Sequence, residues 1–496
     1  MGKEDKLLEL AETKFGELSP ADIKLFTAVA KGDMADYSSA NEDENDPVNA
    51  ENWGEERQLA ADRIEWLCSG GDALSCVSNK GIWINGVCVN GELNLNFIEV
   101  SIPFLFLKCS IPDRINLHNS KISALAMPGT FIGSMMAFRL IVEHDVFLRD
   151  GFHAEGEVNL IGANIQGDLS CGSGKFINSE GKALAADGIN VDGSVLFSKG
   201  FMAEGAVRLL NAYIGGNLEC DSGVFINPSK VALSADKVIV KGSVFLRSKV
   251  KVQGEINFFG SDIKGSFQLR DFIEPSNTVL KLRTAHIGTL WDDEESWPEK
   301  GNLRLDGFTY DSIYGKAPLE PQKRIEWLKR QPESEYHPQP YEQLAKFYHK
   351  SGRDEYAKQI LIAKNEDEAY LKQLNCPQKI WHKMLKYTVG YGYRPLRALY
   401  WGLAIMAIGA LLFWSGADLI SPTRVISEDY PKLNPIFYSI DMFVPLVNLH
   451  QAEFWLPNAN KGAWGAALQY YMWFHIFAGW FLSTLLAVGL SGLVKK

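Results

Sequence analysis

The sequence predicts a mainly β protein: a parallel β-solenoid with helical caps, a helical-hairpin neck and two C-terminal transmembrane helices. Three observations in the 496 residues carry this prediction. A period of 49 residues runs through the middle of the chain, its segments alternate apolar and polar residues in short runs, and two long uncharged apolar stretches lie near the C-terminus.

The period is visible in several independent anchors. Phe152-His-Ala-Glu-Gly-Glu-Val-Asn-Leu160 returns as Phe201-Met-Ala-Glu-Gly-Ala-Val-Arg-Leu209, and Gly167-Asp-Leu-Ser-Cys171 as Gly216-Asn-Leu-Glu-Cys220. Gly193-Ser-Val-Leu-Phe197 returns as Gly242-Ser-Val-Phe-Leu246. Alternation at period two marks strands with one buried face, and fixed-period self-similarity marks stacked coils. The runs are too short and too closely spaced for βαβ units, with no helix-length amphipathic segment between residues 81 and 290. Stacking that buries Val158, Leu160, Leu169, Val195, Val207, Leu209, Leu218 and Val244 is a solenoid of about two coils per period. Glycine at the corners is expected to supply positive φ.

A solenoid exposes apolar surface and free strand edges at its ends, so caps are expected. A helix over 55–67, with Leu59, Arg63, Trp66 and Leu67 near one face, directly precedes the first strand, Ile82-Trp-Ile84, and is read as the N-terminal cap. Leu303-Arg-Leu305-Asp-Gly-Phe308 reads as a last coil, followed by a helix at Arg324-Ile-Glu-Trp327-Leu328. Apolar residues at helical spacing in 341–348 and 357–361, joined through Ser351-Gly352-Arg353-Asp354, predict a helical hairpin. The expected organisation is an acidic helical region and cap at 1–70, the solenoid at 71–310, the neck at 311–396 and a two-span domain at 397–496.

Charge is unevenly placed. Residues 1–63 hold 16 Asp and Glu against 7 Lys and Arg, which accounts for nearly all of the net charge of −10. No charged residue occurs between Arg397 and Asp418 or between Lys461 and Lys495, and each stretch is long enough to cross a hydrocarbon core of about 30 Å as a helix. Lys379, Lys383, Lys386, Arg394 and Arg397 precede the first stretch and are read as membrane-surface residues; Lys495-Lys496 ends the second. Positive flanks place both ends, and the large N-terminal region with them, in the cytoplasm. Ser483, Ala487 and Ser491 form a small-residue row suited to helix packing, and His475 is read as interfacial.

Between the spans, 434–450 is apolar with a single acid and broken by Pro445. It is too short to cross, as a re-entrant or interfacial segment would be. Ser439, Asp441, Pro445, Asn448 and His450 are its pore or re-entrant candidates. No Thr-Val-Gly-Tyr-Gly filter is present.

Motif chemistry is sparse. Gly167–Lys175 has the wrong glycine spacing for a phosphate loop, and Gly390-Tyr-Gly392 lacks the third glycine of a dinucleotide fingerprint. Asp292-Asp-Glu-Glu295 reads as an acidic turn closing the solenoid rather than a cation site. The seven cysteines are odd in number, spread out and without a C-x-x-C pair, which suits a reducing compartment; Cys171 and Cys220 occupy equivalent buried positions of the repeat. No catalytic residue, cofactor, metal or nucleic-acid partner is expected.

Arg63-Ile-Glu-Trp-Leu67, the Gly-x-Val-x-Leu coils, Leu290-Trp-Asp-Asp, Leu305-Asp-Gly-Phe-Thr-Tyr310, Gln339-Pro-Tyr-Glu-Gln-Leu344 and Tyr391-Gly-Tyr-Arg-Pro395 together give the chain a likeness over nearly its whole length. It resembles bacterial membrane proteins that pair a pentapeptide-like β-helix with a C-terminal two-span anchor. Such proteins are often labelled membrane-associated oxidoreductases, an activity for which the chain offers no cofactor motif. The expected function is that of a non-enzymatic inner-membrane protein. Its cytoplasmic solenoid senses or scaffolds a protein partner and is coupled to a homo-oligomeric two-span part that is a candidate ion channel, for instance a membrane effector in antiviral defence. The alternative is a membrane-anchored adaptor whose spans only tether.

Overall fold

The computed structural model describes residues 2–371, 374–423 and 431–491. It divides into two units, 1–347 and 348–496.

The first unit is built on two long parallel sheets, of 19 and 13 strands among the described residues. Most strands are only two or three residues long, and each pairs with the equivalent strand one coil earlier and one coil later. Asn164 pairs with Asn190, Asn190 with Tyr213, Tyr213 with Ile239 and Ile239 with Asp262. Coils of 26 and 23 residues therefore alternate, and one of each makes the 49-residue period. The longer coils hold their extra residues in an out-turned loop. Strands Lys175–Ala185 and Val224–Ser234 lose register between Ile177 and Lys182 and between Ile226 and Val231. Asn178 Nδ2 closes the first loop by donating to Lys182 O at 2.9 Å, and Asn227 Nδ2 closes the second by donating to Val231 O at 2.8 Å.

The inward-facing residues form continuous columns. Leu169, Val195, Leu218, Val244 and Phe267 stack in register, as do Ile165, Val191, Ile214, Val240 and Ile263, and all are fully buried. Phe152, Phe176, Phe201 and Phe225 make a third column with ring centroids 5.2–5.3 Å apart. Each such side chain contributes about 1.5–3 kcal/mol of burial. Cys171 and Cys220 are free thiols inside this core, and burial pushes both upward in pKa.

A polar ladder runs along one outer edge. Asp145 Oδ1 accepts from Asp168 N at 2.7 Å, Asp168 Oδ1 from Ser194 N at 2.7 Å and Ser194 Oγ from Asn217 N at 3.1 Å. Asn217 Oδ1 then accepts from Ser243 N at 2.9 Å and Ser243 Oγ from Ser266 N at 3.0 Å. Glycine supplies positive φ at the corners Gly162, Gly188, Gly260 and Gly307, as expected, but the glycine before each donor of the ladder serves another purpose. Gly167, Gly193, Gly216, Gly242 and Gly265 do not have positive φ. A Cβ on Gly193 would lie 2.2 Å from Asp168 Oδ1 and 2.7 Å from Gly167 O, so glycine makes room for the previous rung. The left-handed corners fall on Asn211, Lys237 and Thr284 as well as on Gly188 and Gly260.

At the N-terminal end, α1 (Lys3–Phe15) and α2 (Pro20–Lys31) form a pair, with Ser19 and Asp22 closing a capping box at the start of α2. The expected helix over 55–67 is shorter, because Gln58–Ala60 pairs as a strand with Cys88–Asn90 and helix α3 begins only at Ala61 (Ala61–Cys68). Tertiary pairing has overridden helical periodicity. After α3 comes α4 (Gly71–Cys76). Arg63 reaches Asp22 at 3.2 Å and lies over the Phe15 ring, while Glu65 Oε1 accepts from Asn94 N at 2.6 Å.

At the other end, α5 (Pro321–Leu328) repeats the pentapeptide of α3: Arg63-Ile-Glu-Trp-Leu67 and Arg324-Ile-Glu-Trp-Leu328. Arg324 is fully buried and donates to both carboxylate oxygens of Asp292, at 2.8 and 2.7 Å; Trp297 Nε1 donates to the same carboxylate at 2.8 Å. Glu294 pairs with Lys323, and Asp293 accepts from Ser296 N. Three of the four residues of the acidic run are thus engaged, and Glu295 is exposed. α6 (Gln339–Lys350) follows; its Gln339 bonds Gly307 N and Phe308 O, and its Gln343 bonds Tyr310 O, satisfying backbone groups of the final coil.

The second unit contains α7 (Asp354–Leu371), α8 (Cys376–Val389), α9 (Leu396–Ser415), α10 (Pro435–Phe443), α11 (Gln451–Phe454) and α12 (Ala463–Ser491). α9 and α12 are long and apolar enough to cross a membrane. Only 22% and 28% of their most apolar windows are buried, whereas a soluble core helix would be mostly covered. The Lys495-Lys496 flank lies outside the described residues.

Candidate functional site

The segment between the two long apolar helices, α9 and α12, carries a connected set of polar contacts. Asn434 starts α10 by accepting from Ile436 N and Phe437 N, and its own N–H donates to Gln451 Oε1 at 2.9 Å. Pro435 follows at the first helical position, where a missing N–H costs nothing. A short antiparallel pair, Ile420–Pro422 with Trp455–Pro457, joins the ends of the loop, and Tyr438 Oη donates to Trp455 O at 3.0 Å.

α10 packs against both α9 and α12, and glycine permits the approach. A Cβ on Gly479 would lie 1.9 Å from Phe443 O; one on Gly409 would lie 2.5 Å from the His475 ring and 2.7 Å from Ser439 Oγ. Two apolar clusters flank the crossing. Phe443 packs with Ala398, Ala478, Leu482 and Leu485 on one side, and Tyr438 and Met442 pack with Phe413, Leu468 and Met472 on the other.

Between the clusters lies a buried polar tie. His475 is fully buried among three helices because α10 folds back over it. Its Nε2 lies 3.1 Å from both the carbonyl oxygen and Oγ of Ser439, and its Nδ1 lies 3.3 Å from Tyr471 Oη. A carbonyl oxygen only accepts, so the proton sits on Nε2 and Tyr471 donates to Nδ1. Ser439 Oγ donates to Met406 O on α9 at 2.8 Å. This tie joins α9, α10 and α12 and commits the serine proton to a backbone carbonyl.

The remaining loop candidates are placed apart from it. Asp441 accepts from Leu449 N, Gln451 N and Ala452 N at 2.6–2.9 Å, binding the turn that follows α10. Pro445 is half-buried in that turn; Asn448 and His450 are exposed, with Asn448 Oδ1 accepting from His450 N and His450 facing Glu453. In the small-residue row, Ser483 is half-buried, and Ala487 and Ser491 are exposed. Close approaches within the second unit fall instead on glycines, among them Gly409, Gly416, Gly465, Gly479 and Gly489.

Among the basic residues, Lys379 and Lys383 are exposed on α8. Lys386 pairs with Glu366 at 2.9 Å, and Arg394 pairs with Glu355. Arg397 lines a cleft with Lys386, Tyr387, Tyr400 and Trp401. α8 also exposes Ile380, Trp381 and Tyr387. In the first unit, the acidic N-terminal segment surrounds a second cleft of about 550 Å³ beside Lys24, Glu44, Glu56 and Arg57, the Arg57 guanidinium lying 3.7 Å over the Trp53 ring.

The pairing of Ser439 with His475 was missed by sequence reasoning; the available signal was a lone ionisable residue inside an apolar span. Among the described residues no cluster of three metal-ligating side chains is found. No family model, curated protein or solved structure matches the chain.

Proposed function

We propose that this protein is a membrane-anchored β-solenoid, held at a bacterial inner membrane by α9 and α12, that presents its solenoid to a protein partner. The observation that carries this reading is the pairing of a regular solenoid with two apolar helices whose side chains are largely uncovered. α3 and its neighbours would cap one end of the coils, and α5 and α6 the other. The likeness to two-span β-helix membrane proteins belongs to the same proposal, as does the orientation with the solenoid in the cytoplasm, which rests on the basic residues from Lys379 to Arg397. After alkaline carbonate extraction of cells, the full-length protein should stay in the membrane pellet. Release into the supernatant would overturn the reading.

A second reading adds ion conduction by a homo-oligomer, as a membrane effector would need. Its support is α10, a nine-residue helix inserted between two spans, with Ile436 and Phe437 exposed on it and Leu446 just after it. Reconstituted protein should then pass ions across liposomes, and deletion of 434–450 should change the flux. Tight vesicles under all conditions would leave the tethering reading alone.

A further inference from the structure

An open cleft of about 660 Å³ at the start of α9 is lined by Lys386, Tyr387, Arg397, Tyr400 and Trp401. A bond links its two walls, Trp401 Nε1 donating to Tyr387 O at 3.2 Å. Two cations and three aromatic rings thus converge where an apolar helix begins.

From this arrangement we propose that the cleft binds one anionic phospholipid, its phosphate held between Lys386 and Arg397 and its glycerol and upper chains lying along Tyr400 and Trp401. The inference rests on the membrane reading above and goes beyond it, because it assigns a stoichiometric site rather than a charged surface.

The charges fit a phosphodiester. Lys386 shares its charge with Glu366, yet an ammonium has three donors and one carboxylate does not use them all. No ion pair to Arg397 is found among the described residues. Lys386, Arg397 and Glu366 together leave a net charge of about +1, which matches one phosphodiester. Arginine offers its planar fork and lysine a movable point charge, the two common ways of holding phosphate. The aromatic walls argue for a lipid over free phosphate: Tyr400 is 68% and Trp401 50% exposed, and amphipathic rings at this level of a span sit among headgroups.

The test is native mass spectrometry of the full-length protein in a neutral detergent, with phosphatidylglycerol or phosphatidylcholine added. One phosphatidylglycerol should be retained in preference to phosphatidylcholine. K386Q/R397Q should weaken that retention by about 25-fold, at about fivefold per cation, and R397Q alone by about fivefold should the double variant fail to fold. K379Q/K383Q, which removes the same charge from exposed positions of α8, should leave retention unchanged. Equal losses in both double variants, equal retention of the two lipids, or displacement of the lipid by millimolar inorganic phosphate would each overturn the site. Protein that stays dispersed without any detergent would overturn the membrane reading itself, whereas protein that needs detergent but holds both lipids equally overturns only the site.

Discussion

Arg324 donates two hydrogen bonds to Asp292, 32 positions earlier in the chain, and neither side chain is exposed to solvent. The pair fastens α5 to the end of the solenoid, with Trp297 donating to the same carboxylate. Stranding one buried charge costs about 3–5 kcal/mol, whereas removing both can be nearly neutral. D292A should therefore destabilise the first unit by about that amount, and D292A/R324M by less than either single change. Denaturant unfolding of the four proteins checks this coupling.

The ladder along the solenoid edge predicts a tolerance rule. D168A leaves Ser194 N without its acceptor and should cost about 1–3 kcal/mol. D168N should retain most of the stability, because Asn217 performs the same task two coils later. G193A should destabilise by about 1–3 kcal/mol, since its Cβ meets the Asp168 carboxylate and a backbone carbonyl. Thermal unfolding followed by circular dichroism measures all three.

Thiol labelling should separate one cysteine from the other six. Cys376 is exposed, while the rest are buried and free. Burial pushes Cys68 and Cys109 up to about 12. Maleimide added to the native protein in detergent should give a mass shift of a single label, absent in C376S, and full labelling only after denaturation.

Helix packing in the second unit should respond to Gly479 and not to Ala487. A Cβ at Gly479 would collide with Phe443 O, so G479A should lower the melting temperature in detergent, by about 1–3 kcal/mol in stability. A487V, at an exposed position, should leave it unchanged. The reverse pattern would place the main helix contact on the Ser483, Ala487 and Ser491 row.

Acid should weaken the solenoid through His153. Burial lowers its pKa below the usual 6.5, and Lys175 lowers it further, against Glu155 and Asp46, which raise it. The unfolded chain therefore takes up the proton first, and stability falls as pH drops below about 6.5. In H153Q the part of that slope due to this residue should vanish, as read from denaturant midpoints between pH 7.5 and 5.

What could be read in the sequence was whatever is written locally. The 49-residue period, the inward columns through Leu169 and Leu218 and the two apolar spans follow from spacing alone, and all reappear in the fold. Relationships across distance were not legible. The bond from Arg324 to Asp292 needs α5 folded against the last coils, and the burial of His475 needs α10 inserted between the spans. The glycines before each rung looked like turn residues because the oxygen that requires them belongs to another coil. Gln58–Ala60 carried a helical pattern that pairing with Cys88–Asn90 outweighed. The shared pentapeptide of α3 and α5 was present in plain letters at both ends of the solenoid.

The alternation of 26- and 23-residue coils bears on how such a chain can grow or shrink. Between Asp145 and Ser266, removing one coil would bring a looped strand against a looped strand, or a plain one against a plain one. Removing a pair would restore every rung and every register. The heritable module of this region is therefore the double coil, and gene duplication or deletion in steps of 49 codons is the route that changes its length while conserving its surface.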